Sequence, residues 1–206
     1  MNKKALTEFV RTSLLKHEAV ADNQKTFHFK RVEQGIGYAF DTLLSQIRLD
    51  DAGKAKIESY YVKHYYNQDV RESNGYRYFG VSDAVVPVGE GKGIWYVQPA
   101  GGVGSPFSFT HRPQTAFFAS LPVGEVLNET YWRFGNIGTN RQIVLESIGD
   151  SPYKDVRKVD YGVVRAFSEY GDTEEVAVPD GRYDLLIEMT GIWLGGGYDD
   201  KTNNNA

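Results

Sequence analysis

The sequence predicts an α+β protein: an N-terminal helical hairpin packed on an antiparallel β-sandwich or barrel. Two observations predict it. Over the first fifty residues apolar side chains recur every three or four positions, the period of an amphipathic helix. From Ile57 onward, short runs rich in Val, Ile, Tyr, Phe and Trp are bounded by Gly, Pro, Asn and Asp, with no helical pattern between them. Short strands at that spacing favour a sandwich or barrel over alternating strand–helix units.

The first helix follows from Leu6, Phe9, Val10, Ser13, Leu14 and His17, which share one face. Asp22-Asn23 marks a break with capping potential. The second helix is the stronger pattern: Val32, Ile36, Phe40, Leu43 and Ile47 form a stripe from about His28 to Arg48. This stripe is the candidate surface for helix packing or subunit contact. Gly35 and Gly37 each cost about 1 kcal/mol against Ala in a helix. They imply either a close approach by another backbone or a weak spot. Asp50-Asp51-Ala52-Gly53 ends the helical arm, residues 1–56.

A β-rich domain is expected over residues 57–194. Its strand candidates begin with Ile57–Tyr66 and Tyr76–Phe79, joined by the turn signal Ser73-Asn74-Gly75 into a hairpin. Others are Val85–Val88, Ile94–Gln98, Thr115–Leu121, Glu129–Phe134, Gln142–Ile148, Val156–Phe167, Glu174–Val178 and Arg182–Leu194. Asp180-Gly181 reads as a hairpin turn before the last of them. Residues 195–206, rich in Gly and Asn, read as a flexible polar C-terminal tail.

Composition removes chemistry. At 41% hydrophobic and 24% charged, the 206 residues suit a globular chain rather than a disordered one. There is no cysteine, which excludes disulfides, thiolate zinc sites, iron–sulfur clusters and a Cys nucleophile. The four His, at 17, 28, 64 and 111, are too scattered to suggest a metal site. Met1-Asn2-Lys3-Lys4 starts like a signal sequence, but Glu8 and Arg11 interrupt any apolar stretch. No run approaches the roughly 18 apolar residues of a membrane helix, so no membrane partner is expected. Residues 1–56 carry ten Lys/Arg against seven Asp/Glu, and residues 57–206 thirteen against twenty. A basic arm on an acidic domain would favour head-to-tail contact between copies.

The motifs that invite chemistry are weak. Gly89-Glu90-Gly91-Lys92-Gly93 precedes a strand-like run, not the helix that phosphate loops need. Ser108 and His111 lie close in sequence without a nucleophile elbow. Glu174-Glu175 and Asp199-Asp200 offer paired carboxylates but no defined cleft. No catalytic, cofactor-binding or metal-binding residue is assigned, and no cofactor is expected. The densest aromatic cluster is Tyr60, Tyr61, Tyr65 and Tyr66, with Tyr76 and Tyr78 beyond. Alternation puts Tyr61 and Tyr65 on one face of a strand and Tyr60 and Tyr66 on the other. Such a strand is expected to be covered on both sides, one by the core and one by another element or chain.

The run Phe29-Lys30-Arg31-Val32-Glu33-Gln34-Gly35-Ile36-Gly37-Tyr38-Ala39-Phe40-Asp41-Thr42-Leu43-Leu44 resembles a helix near the start of small virion proteins of crAss-like phages of Bacteroidetes. In those an Arg-Val-Glu start leads through small residues and an aromatic to paired leucines. The resemblance covers residues 5–50 in pattern and the remainder in type. It implies a ring-forming head-to-tail connector in the virion neck or tail, assembled in the host cytoplasm. The implied partners are further copies of the chain, the portal and other neck or tail proteins. DNA would pass nearby without specific recognition. The alternatives are a glycan- or cell-surface-binding β-sandwich that stacks sugars on Trp95, Trp132, Trp193 and the tyrosines, and a hydrolase using His111 or a carboxylate.

Overall fold

The computed structural model describes residues 1–18, 27–46, 59–73, 75–81, 85–87, 93–102, 104, 106–110, 129–137 and 140–195. The protein is α+β, and among the described residues its sheets do not close into a barrel. It divides into a helical unit, Met1–Lys56 with Ala166–Ala206, and a strand unit, Ile57–Arg165. The β-domain expected to reach residue 194 ends at Arg165, and the chain beyond it belongs with the helices.

Among the described residues the helical unit holds three α-helices: α1 (Lys3–Glu18), α2 (Phe29–Ser45) and α3 (Tyr183–Gly195). The predicted strand Arg182–Leu194 is therefore a helix. The Asp180-Gly181 turn is real, with φ of 52° and 65°, but it lies in a short 3₁₀ turn that leads into α3. Burial shows the helical period. Leu6, Val10 and Leu14 on α1, and Leu186, Thr190 and Leu194 on α3, are buried at steps of four. Residues 166–178 contain a 3₁₀ turn, Phe167–Glu169, and a bridge of Glu175 to Asn2. The predicted strand Glu174–Val178 is reduced to that bridge among the described residues.

This returning segment completes the start of α1. The Ala5 N–H donates to Asn2 Oδ1 at 2.8 Å, and the N–H groups of Lys3 and Lys4 donate to the carbonyls of Glu174 and Asp172. First-turn amides that have no partner within a helix are thereby satisfied. Lys3 is buried, pairs with Glu33 at 2.8 Å and lies 5.2 Å from the Phe167 ring centre. Phe40 meets Phe167 and Tyr170 at 5.4 and 6.0 Å between ring centres. Asp41 Oδ1 accepts the Phe167 N–H at 2.8 Å.

The two helix glycines have different neighbours. A Cβ on Gly35 would sit 3.0 Å from the Trp193 ring and 3.1 Å from Thr190, so the close approach is by side chains of α3. A Cβ on Gly37 would meet only ordinary contact with Phe167, at 3.6 Å.

The strand unit is a two-sheet sandwich. One antiparallel sheet has the order β1 (Val62–Asp69), β8 (Lys158–Val164), β4 (Ile94–Pro99). The other runs β2 (Arg71–Ser73), β3 (Tyr76–Gly80), β7 (Asn140–Ser147), β6 (Thr130–Ile137), β5 (Ser108–Phe109), antiparallel except for β5 with β6. Val97, Val159 and Tyr161 of the first sheet share a core with Phe79, Trp132 and Ile143 of the second. β3 pairs with β2, not with the tyrosine run; β1 pairs with β8. Val85 makes a single bridge to Arg165. Thr115–Leu121 and the Asp22-Asn23 and Asp50–Gly53 breaks lie outside the described residues, as do residues 196–206.

The regrouping of the chain also regroups its charge. The helical unit carries twelve basic and sixteen acidic residues, and the strand unit eleven of each. The expected pairing of a basic arm with an acidic domain disappears, because the acid-rich residues after 165 belong to the helices.

Two predictions follow from this packing. Gly35→Val should destabilise the helical unit by about 1–3 kcal/mol, read by thermal denaturation, because a Cβ alone is already tight against the Trp193 ring and Thr190 and Val adds two methyls there. Burial pushes the Asp41 carboxyl up to about 6, against a smaller opposing effect of the Phe167 N–H. A carboxyl raised in the folded state binds more protons folded than unfolded, so stability falls as pH rises from about 4 through 6. Asp41→Asn keeps an acceptor for Phe167 and should melt higher than the parent at pH 7, with the difference gone by about pH 4.

Candidate functional site

The expected helix stripe lies inside the chain. Val32, Ile36, Phe40 and Leu43 are all buried, among residues of the same helical unit, and Ile47 lies outside the described residues. The surface of this unit is therefore set by other positions on its helices.

The tyrosines separate by burial, but only Tyr65 and Tyr66 lie on a strand, so alternation accounts for that pair alone, and Tyr61, expected in an aromatic surface, is buried. Tyr61 is buried, and Tyr65 stacks on Tyr161 with 4.8 Å between ring centres and 15° between planes. Tyr60 and Tyr66 are exposed, Tyr66 by 61%. Tyr60 and Tyr61 belong to a 3₁₀ turn, Ser59–Tyr61, that precedes β1. Among the described residues β1 pairs only with β8, so it is an edge strand with a solvent-facing aromatic side.

That side builds a small ledge. His64, Gly162 and Tyr96 lie in register across β1, β8 and β4. A Cβ on Gly162 would stand 2.6 Å from the Tyr96 ring and 2.9 Å from Val62. Its absence lets Tyr96 cross the central strand, where its hydroxyl lies 3.0 Å from His64 Nδ1. The Tyr66 ring stacks beyond His64, with 6.3 Å between centres and 16° between planes. Burial, then the Tyr66 hydroxyl and the Asp160 carboxylate, raise the Tyr96 phenol above its ordinary value. At neutral pH the phenol keeps its proton and can donate it to an unprotonated His64 Nδ1.

Asp160, two residues before Gly162, is a buried carboxylate that organises both flanks of this sheet. It accepts the Asn67 N–H at 2.8 Å and the Gly101 N–H at 3.1 Å. Asn67 has φ of 54° where the β1 register shifts, and Gly101 has φ of 87°. The carboxylate therefore holds a strand irregularity and a turn that the backbone alone would not favour.

The other sequence candidates separate. Trp132 is 3% exposed and sits in the sandwich core. Trp193 packs against Gly35, which leaves Trp95 as the exposed tryptophan of the three. Ser108 lies on β5, and His111 lies outside the described residues. Glu174 accepts the Gly171 N–H in a local turn. An open cleft of about 570 Å³ includes Asp69, Glu72, Arg77, Asp155, Arg157 and Lys158 in its lining. Four of these charges pair within the chain, Arg77 with Asp155 at 3.3 Å and Lys158 with Asp69 at 3.9 Å. Among the described residues no three His, Asp or Glu gather as a metal set.

Sequence reasoning missed α3 as a surface. Tyr183–Gly195 is apolar on most of its circumference, yet its buried residues are Leu186, Thr190 and Leu194. Leu185, Ile187, Met189 and Trp193 are half-buried, and Ile192 is 64% exposed. Two interleaved series at steps of four, Leu186-Thr190-Leu194 buried and Asp184-Glu188-Ile192 exposed, were the available signal.

Gly162→Val should displace Tyr96 and destabilise the strand unit by about 1–3 kcal/mol. Tyr96→Phe removes only the hydroxyl, so it should cost about 0.5–1.5 kcal/mol or less while leaving the sheet in place. Thermal melts and the His64 ring resonances in NMR spectra distinguish the two outcomes.

The chain matches no protein-family model and no curated protein.

Proposed function

We propose that this chain is a structural subunit that assembles with copies of itself into a ring in the neck or tail of a tailed phage. The ring joins portal to tail and leaves a channel for DNA. The observation that carries the reading is α3. A helix apolar on most sides needs cover on more than one side. The described chain buries α3 along one line and leaves Ile192 open, with Leu185 and Met189 partly covered. Each Å² of such surface removed from water is worth about 25 cal/mol, and a neighbouring copy is a source of that cover. The resemblance of Phe29–Leu44 to virion proteins supplies the setting. In this reading the subunit does no chemistry and holds no cofactor. Its partners are its own copies, the portal and other neck or tail proteins, and DNA passes without specific recognition.

A second reading, a glycan- or cell-surface-binding module, is favoured by the ledge of His64, Tyr66 and Tyr96, since aromatic faces stack on sugar rings. Mass measurement and negative-stain imaging of the purified chain, alone and with the portal protein of its phage, separate the two. The ring reading expects closed oligomers in at least one condition and no response to oligosaccharides. Monomers in both conditions, with tryptophan fluorescence that changes on adding oligosaccharide, would favour the second reading.

A further inference from the structure

The helical unit displays two exposed rows of different chemistry. On α2 the row is Lys30, Gln34 and Tyr38, with exposed Arg31 beside it. On α3 it is Asp184, Glu188 and Ile192. Steps of four residues turn by about 40° each, so each row keeps to one face of its helix. Tyr38 is 56% exposed. Each row lies away from the buried line of its own helix: Val32, Ile36 and Phe40 on α2, and Leu186, Thr190 and Leu194 on α3. Among the described residues none of Lys30, Arg31, Asp184 and Glu188 has an ion-pair partner, whereas Lys3 and Glu33 of the same unit are paired.

The sense of the helices constrains how such rows can meet. Lys3 reaches Glu33 and Arg11 reaches the Phe27 carbonyl, so α1 runs against α2. Phe9 meets Tyr183, and Leu14 lies against Gly191, so α1 runs with α3. Hence α3 runs against α2. In a ring of many subunits each copy is turned only slightly from the next, so helices of adjacent copies keep this opposed sense. A ring contact is also heterologous: it joins two unlike patches of one surface, one from each neighbour.

Resting on the ring reading, we propose that the α3 row of one copy packs antiparallel on the α2 row of the next. Asp184 then lies beside the Tyr38 hydroxyl, which donates to its carboxylate. Glu188 faces the Gln34 amide and the Arg31 guanidinium. Ile192 covers the aliphatic stem of Lys30, whose ammonium stays in water. The occupant is a second copy because this chain carries both halves of the match: Glu188 with Arg31 of opposite charge, and the Asp184 acceptor with the Tyr38 donor.

The chain has no cysteine, so disulfide trapping reports only introduced pairs. Mixing full-length Lys30→Cys with full-length Ile192→Cys under oxidation should give a cross-linked dimer, and the double variant a ladder of multimers. Tyr38→Cys mixed with Ile192→Cys should give none. Glu188→Lys should raise the dissociation constant for self-assembly at least about tenfold without lowering the melting temperature. Adding Arg31→Glu to the same chain should restore most of the loss. Rings of the parent chain that form while the cross-link and the charge-reversal effect are both absent overturn this contact and leave the ring reading standing. A Tyr38–Ile192 cross-link overturns the antiparallel sense, and trapping of Ile192→Cys on the portal overturns the copy-to-copy assignment. A parent chain that stays monomeric alone and with the portal overturns the ring reading, and this contact with it.

Discussion

The apolar stripe of α2 must be covered, and two helices cannot do it. Val32, Ile36, Ala39, Phe40, Leu43 and Leu44 are all buried, and that requires a third helix and a returning segment from the end of the chain. The missing side chain at Gly35 admits the Trp193 ring, and Phe167 and Tyr170 close over Phe40. The polar contacts of the unit follow from that return. Lys3 and Asp41 are drawn under cover because Phe167 lies against them, and each finds a partner there. Asp41 keeps its charge at a cost, because one backbone N–H does not replace the water it has lost.

The strand unit answers to a different constraint. Six of the seven residues of β8, from Val159 to Val164, are buried, so this strand is enclosed on both faces and packing decides every position along it. Gly162 is where two side chains from flanking strands converge, and Asp160 is where two irregular backbone segments find an acceptor. A buried carboxylate is tolerable there because its oxygens receive N–H donors in fixed positions.

Among the described residues these constraints leave a shallow ledge and an open cleft on the strands. The aromatic ledge on β1 and β4 is shallow, and the charged cleft beside Arg77 and Asp155 pairs its own ions. With the strand unit carrying equal numbers of acidic and basic residues, contact between copies cannot rest on bulk charge. Local rows on helices carry the argument for assembly, and α3 contributes most because the described residues bury it along one line only.

By itself the sequence determined α1 and α2, the described core positions along α2, the opposite faces of Tyr65 and Tyr66, and most strands between residues 62 and 164. Those features are local: a period of 3.6 or 2 records which side of an element meets a core, whatever that core is. It did not determine α3. Arg182–Leu194 is mostly apolar, so its helical period rests on two charged positions four apart, Asp184 and Glu188, too few to separate a buried strand from a helix, and the turn at Asp180-Gly181 fits either. Tertiary structure decided that this segment joins the N-terminal helices, that Gly35 makes room for Trp193, and that β1 pairs with β8 nearly a hundred residues away. Each of these depends on contacts between distant segments, and one strand or helix carries no record of which distant partner will cover it.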